Sequence, residues 1–80
     1  MSEKLMNIGF GNVVPSDRII SIIQPDSAPT KRLIQQFRER KLVIDATNGR
    51  KTRSMILLDS QHIVLSAVQP ETISQRLTED

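Results

Sequence analysis

The chain of 80 residues contains no cysteine, no tryptophan and no tyrosine. The absence of cysteine excludes disulfide bonds, thiolate metal sites and thiol catalysis, and it is typical of a protein of the reducing cytoplasm. No apolar run is long enough to cross a membrane, and Leu5 follows the first polar residues without the apolar core of a signal peptide. These absences predict a cytoplasmic protein that has no membrane partner.

Residues suited to catalysis are also scarce. His62 is the only histidine, and its place among polar residues in a predicted turn favours a turn or surface role over that of a general base. The acids Asp17, Asp26 and Asp59 are scattered over predicted turns, where turn formation explains them. Asp45 lies beside a group of cations, so a role in orienting an arginine stays open for it. No motif supports a small hydrolase that uses Asp45 and His62. We therefore expect that the protein is not an enzyme and that it binds no metal, cofactor or small-molecule substrate.

Positive charge is concentrated in the middle of the chain, although the whole chain has a formal net charge of only +2. Residues 31–53 contain eight cations and two acids, a net charge of +6, whereas the remainder contains three cations and seven acids, a net charge of −4. If the middle segment folds onto one face, the protein has a basic side and an acidic side. A basic face attracts phosphate.

The pattern of apolar and turn-forming residues predicts a single domain, residues 1–80, of the α+β class. We expect a small, mostly antiparallel sheet of about five strands with one main helix and a short C-terminal helix. Gly9 to Asn12 reads as a turn, because the third glycine and the lysine of a nucleotide-binding loop are missing. The predicted strands are 5–8, 18–23, 42–46, 53–58 and 63–68, and residues 13–17 are predicted to be a connection. The main helix is predicted to run from Asp26 or Ser27 to Arg40 or Lys41, and the short helix to begin at Pro70. Residues 78–80 are predicted to be a disordered tail.

Three of these strands, 19–23, 55–58 and 63–68, are apolar on both faces. One helix of moderate length and one short helix cannot cover both faces of such a sheet. A chain of this size is also marginally stable as a monomer. We therefore expect the uncovered apolar surface to be buried against other copies of the chain.

The stretch from Asp45 to Arg53 lies between two apolar runs and reads as a hairpin tip. Asn48-Gly49 is the pair that a type I′ turn requires, because both central residues need positive φ. Such a turn joins the strands 42–46 and 53–58 and, with the strand 63–68, gives an antiparallel meander. It also projects Arg50, Lys51 and Arg53 outward.

Nucleic acid is the partner that this chemistry favours. Phe10 and Phe37 are the only aromatic residues, so there is no stacking platform for the unpaired bases of single strands. Double-stranded DNA fits better, with phosphate contacts from Arg18, Arg50, Lys51 and Arg53. The alternative is a non-catalytic interaction or scaffold module whose basic hairpin binds an acidic protein.

Several blocks of sequence together resemble one family of bacterial DNA-binding regulators, the RemA family, also called extracellular matrix regulatory protein A. The resemblance spans nearly the whole chain. Its blocks are Asn7-Ile8-Gly9-Phe10-Gly11-Asn12, Arg18-Ile19-Ile20-Ser21-Ile22, Ser27-Ala28-Pro29, Ile44-Asp45-Ala46-Thr47 followed by Gly49-Arg50, and Leu65-Ser66-Ala67-Val68-Gln69-Pro70-Glu71-Thr72.

The resemblance implies a small α/β protein that assembles into a ring-shaped homo-oligomer, binds promoter DNA around its basic periphery and activates genes for biofilm matrix. It implies no cofactor and no enzymatic activity. The family's DNA-contacting positions correspond to Arg18 and to the pair Arg50-Lys51, where the family has two arginines. Lysine keeps the charge but lacks the planar bidentate fork of arginine.

Overall fold

Two β-sheets and two α-helices make up residues 4–78, which are the residues that the computed structural model describes. The predicted α+β class is confirmed. Neither helix is long and apolar enough to cross a membrane. The elements are β1 (Leu5–Gly9), β2 (Asn12–Pro15), a 3-10 turn (Ser16–Arg18), β3 (Ile19–Ile23), α1 (Ala28–Glu39), β4 (Val43–Asp45), β5 (Ser54–Leu58), β6 (Ile63–Ser66) and α2 (Pro70–Thr78).

The first sheet is a hairpin of β1 and β2 that the sequence only half predicted. Residues 13–17 were expected to be a connection, but Asn12–Pro15 pairs antiparallel with β1. Pro15 is tolerated because it lies at the end of an edge strand, where its missing N–H group interrupts no ladder. Met6, Ile8 and Val14 are buried on the inner face of this hairpin.

The second sheet has four strands in the order β3-β5-β6-β4. The β5–β6 hairpin is antiparallel, as predicted, but β4 pairs in parallel with β6 and is not paired with β5. The predicted hairpin between strands 42–46 and 53–58 is therefore wrong, as is the three-stranded antiparallel meander. Asn48 and Gly49 do have positive φ, at 55° and 80°. Their turn lies within a longer connection that crosses the end of β6, so it does not join paired strands.

Both faces of the four-stranded sheet are covered. Met55, Ile63 and Leu65 pack on one face against apolar side chains of α1. On the other face, the β1–β2 hairpin and α2 bury a larger cluster that includes Ile56 and Ile73. The hairpin thus supplies cover that two helices could not. Within residues 4–78, the large apolar side chains that stay exposed are Leu5, Phe10, Val13, Ile20 and Ile44.

The ends of the helices follow local signals. The hydroxyl oxygen of Ser27 caps α1 by accepting a hydrogen bond from the N–H of Thr30 at 3.2 Å, and Pro29 occupies the first turn. α2 extends through Thr78, so the expected disordered tail is wrong at that residue. Glu79 and Asp80 lie outside the described residues.

Candidate nucleic-acid interface

One end of the four-stranded sheet brings together four connecting segments. β3, β4 and β6 finish at this end and β5 begins there, because Ile23 is paired with Met55 and Ser54 with Ser66. Residues 46–53, which we call the basic loop, cross it from β4 to β5. The β1–β2 turn, residues 24–26 and residues 67–69 border the same space.

Hydrogen bonds fix the basic loop at both ends. The carboxylate of Asp45 accepts from the N–H and the hydroxyl of Thr47, at 2.9 and 2.6 Å. The N–H of Arg50 donates to Thr47 O at 3.0 Å, and that of Arg53 donates to Ser66 O at 2.8 Å. The conformation of the loop is therefore set by the fold.

The role of Asp45 differs from the one that the sequence left open. Its carboxylate forms no ion pair with an arginine of the basic loop within residues 4–78. The hydrogen bonds from the Thr47 hydroxyl and N–H lower the pKa of Asp45, and the nearby positive charge of Arg38 acts in the same direction. Asp45 thus shapes the start of the loop as an ionised acceptor.

Arg50, Lys51 and Arg53 are exposed and line an open groove of about 410 Å³ between the basic loop and the β1–β2 turn. The guanidinium carbon of Arg50 lies 5.8 Å from the centroid of the Phe10 ring, within the range of a cation–π contact. Gly9, Ala67 and Val68 complete the lining. Three of the four predicted DNA-binding residues are therefore in one place.

Lys51 connects this groove to the surface of α1. It also borders a depression of about 280 Å³ together with Lys31 and Arg38, and a smaller one of about 140 Å³ together with Arg53. Asp26 borders both of these depressions and is their acidic member. The basic surface thus runs from the β1–β2 turn across the loop to the first helix.

Arg18 lies at the opposite end of the sheet. Its guanidinium Nη1 is 3.3 Å from Asp59 Oδ2, and this is the one ion pair within residues 4–78. The length of β5, five residues or about 17 Å, separates Asp59 from Arg53. A single chain therefore does not place Arg18 beside the other three cations.

His62 occupies the turn that the sequence predicted for it. Its Nδ1 lies 2.9 Å from the hydroxyl of Ser60, an exposed contact within that turn. Across residues 4–78, no three histidine or acidic side chains come close enough together to hold a metal ion. His62 is thus explained by local turn structure.

Phe10 is the residue of this site that sequence reasoning missed. It is half exposed and has φ of 55°, a conformation that bulky side chains rarely adopt. Gly11 follows with φ of 78°, and Gly9 and Asn12 are paired on either side, so Phe10 and Gly11 are the central residues of a two-residue turn. A large apolar residue between two glycines was the available signal.

Comparisons with known proteins identify relatives of this chain. The model of the RemA-like family, described as extracellular matrix regulatory protein A-like, matches residues 5–77. The chain is 63% identical over 78 residues to a protein of Halalkalibacterium halodurans, with 98% of this chain and 90% of the relative covered. A Brevibacillus brevis protein is 62% identical, with 98% and 91% covered, and one of Clostridium perfringens is 58% identical, with 98% and 88% covered.

All three relatives are named "Putative regulatory protein". The family model covers nearly the whole chain, and the identities are well above the level at which a family relationship is secure. The chain belongs to the RemA-like family of regulatory proteins.

Proposed function

We propose that this protein is a DNA-binding transcriptional regulator that acts as a homo-oligomer and activates genes for biofilm matrix. It binds double-stranded promoter DNA through the basic loop and works in the cytoplasm, in association with the nucleoid. The observation that supports this most directly is the basic loop itself. Arg50, Lys51 and Arg53 line an open groove, and within residues 4–78 none of the three forms an ion pair with an acid. The family's description as a matrix regulatory protein supports the gene class, and a regulatory role requires no catalysis.

Duplex DNA suits the shape of this surface. Cations lie along a path from the β1–β2 turn to Lys31 and Arg38, so successive phosphates of one backbone can be neutralised along it. Backbone phosphates supply affinity and orientation but no sequence information. Sequence preference then comes from DNA shape or from a contact inside a groove.

Self-association is supported by the two edges of the four-stranded sheet. Ile20 on edge strand β3 is 60% exposed, and Ile44 on edge strand β4 is 50% exposed. The pairings make β3 and β4 run in the same direction, so the β3 edge of one copy can meet the β4 edge of the next with the same orientation throughout. Such head-to-tail contacts form a ring when the rotation between successive copies closes, and the proposed homo-oligomer is a ring of this kind. The pairing register of β3 shifts at Ile20, so we assign the contact to side chains and not to a continued ladder.

The test is the affinity for a duplex fragment at several salt concentrations, on protein whose mass has been measured by light scattering. We expect a steep decrease of affinity with salt, and a shallower slope for the double variant Arg50→Ala, Lys51→Ala. The matched control is the double variant Arg32→Ala, Arg40→Ala. It removes the same charge from exposed positions that line neither the groove nor the two depressions. Equal binding by the first variant and wild type would reject the site. Retention of an acidic protein without any DNA binding near physiological salt would reject the function in favour of a protein partner.

A further inference from the structure

The β1–β2 turn holds Phe10 in an unfavourable backbone conformation. Its φ of 55° is tolerated by glycine and asparagine, and strain of this kind persists where the surrounding structure holds it and is concentrated at functional sites. Asn48 fills the corresponding position of the Asn48-Gly49 turn with the same φ. The phenylalanine is not needed to make the turn, and the residue is half exposed.

The turn is held rigidly against the sheet. Gly9 N–H donates to the side-chain oxygen of Asn7 at 2.7 Å, and the side-chain amide of Asn12 donates to Gly9 O at 3.0 Å. The buried hydroxyl of Ser66 donates to Ile8 O at 2.8 Å and accepts from Val68 N–H at 3.0 Å. The backbone of the turn that carries Phe10 is therefore held against the sheet at the rim of the groove.

Three cations line the same groove as the ring. Arg50 lies over the ring at 5.8 Å, and Lys51 and Arg53 line the same groove. An apolar ring beside cations matches duplex DNA, in which the apolar faces of stacked base pairs lie between two phosphate backbones. Proteins that bend DNA commonly insert a phenylalanine or another apolar side chain at a base step and place cations on the adjacent phosphates.

We propose that Phe10 is an apolar wedge that enters a groove of duplex DNA at a base step, with Arg50 beside it on the backbone, and thereby bends the DNA. This rests on the proposed DNA-binding function and names a specific contact within it. A neutral ring releases no counterions, so its contribution to affinity does not depend on salt. That property separates Phe10 from the cations of the basic loop.

The first experiment compares Phe10→Ala with wild type on a duplex fragment at several salt concentrations, together with the bend angle of the bound DNA. We expect an affinity about tenfold lower, an unchanged salt slope and a smaller bend. Val13→Ala is the matched control, because Val13 is an apolar residue of the same hairpin with 51% exposure. It is expected to bind and bend DNA as wild type does.

Two results of this comparison would overturn the wedge. One is a Phe10→Ala variant that binds and bends DNA as well as wild type. The other is a variant of lower oligomeric mass, which would place Phe10 at a contact between copies of the chain. If wild type itself shows no salt-dependent binding, the proposed function fails before any variant is compared, and the wedge fails with it.

The second experiment uses Phe10→Trp, which places a single tryptophan in a chain that has none. Stacking against a base step should quench its emission and shield it from a soluble quencher when duplex DNA is added. Emission and quenching that stay unchanged on protein saturated with DNA would contradict insertion. This readout reports on the ring itself and does not depend on the affinity change.

Discussion

Arg18 and Asp59 tie the start of β3 to the β5–β6 turn through two contacts. Their side chains form an ion pair at 3.3 Å, and the N–H of Asp59 donates to Arg18 O at 2.9 Å. Both side chains are about half exposed, so the ion pair contributes about 0–1 kcal/mol to stability. Its larger effect is to hold and neutralise a guanidinium that the family resemblance assigns to DNA.

Asp59→Asn should therefore strengthen DNA binding. The substitution frees Arg18 to meet a phosphate, and we expect about a threefold higher affinity at low salt with a steeper salt slope. Asp17→Asn is the control, because Asp17 is an exposed acid next to Arg18. This substitution removes the same charge but leaves the ion pair between Arg18 and Asp59 intact. Equal gains from both variants would show that only net charge matters and that Arg18 makes no contact of its own.

Lys51→Arg should also increase the affinity for DNA, because Lys51 borders the groove and both depressions of the basic surface. Arginine adds a planar fork that can bind a phosphate or a base edge with two hydrogen bonds. We expect a gain of about twofold to fivefold with little change in salt slope, since the charge stays the same. Lys31→Arg, at the border of one depression only, should give a smaller gain, and the reverse order would contradict the central position of Lys51.

The stability of the protein should decrease in acid partly through Asp45. Its folded-state pKa is lowered from the ordinary value of 3.8, chiefly by the hydrogen bond from the Thr47 hydroxyl. The ionised carboxylate therefore stabilises the fold above its unfolded-state pKa, and this contribution is lost as the pH falls through the lowered value. In denaturant titrations below about pH 5, wild type should lose more stability than Asp45→Asn. Thr47→Val should lessen the acid dependence in the same direction, and parallel pH profiles for all three proteins would contradict this role.

Gly9→Ala should destabilise the protein by about 2 kcal/mol. Gly9 has φ of 107°, and an added Cβ would lie 3.1 Å from Val68 Cγ2. Gly11→Ala is the comparison, because Gly11 also has positive φ but an added Cβ there meets open space, and a loss of about 1 kcal/mol is expected. Urea titrations measure both. If Val68→Ala does not relieve part of the loss in Gly9→Ala, the contact with Val68 is not its cause.

Ile20→Asp should lower the oligomeric mass measured by light scattering. A charge at this exposed apolar position on β3 cannot be buried against a second copy without a partner. Leu5→Asp is the control, since Leu5 is equally exposed but lies on the outer hairpin. We expect DNA affinity to fall together with mass in the first variant, because fewer basic loops then act together. An unchanged mass would exclude the β3 edge as the contact.

Features governed by neighbouring residues were predictable from the sequence. Ser27 caps α1 and Pro29 lies in its first turn, because capping and the fixed φ of proline act within one helical turn. Asn48 and Gly49 have positive φ because their side chains permit it, whichever strands they connect. The grouping of Arg50 with its neighbouring cations followed from their closeness in the sequence.

Features governed by distant residues were not predictable in the same way. β4 pairs with β6 because β6 returns between β4 and β5, and no turn signal at Gly49 reveals a strand fourteen residues further on. The pairing of Arg18 with Asp59 spans 41 positions in the chain. Phe10 was left without a role because its place beside Arg50 depends on how the hairpin packs on the sheet.

The parallel pairing of β4 with β6 determines how the basic loop is attached to the sheet. A hairpin tip is attached at one place and can swing, whereas this loop is a bridge whose two ends rest on strands about 10 Å apart, with β6 between them. Its conformational freedom is given up during folding, so the proposed binding of DNA would cost little more. Inserting a few flexible residues beside Gly49 would leave every charge in place and still weaken binding.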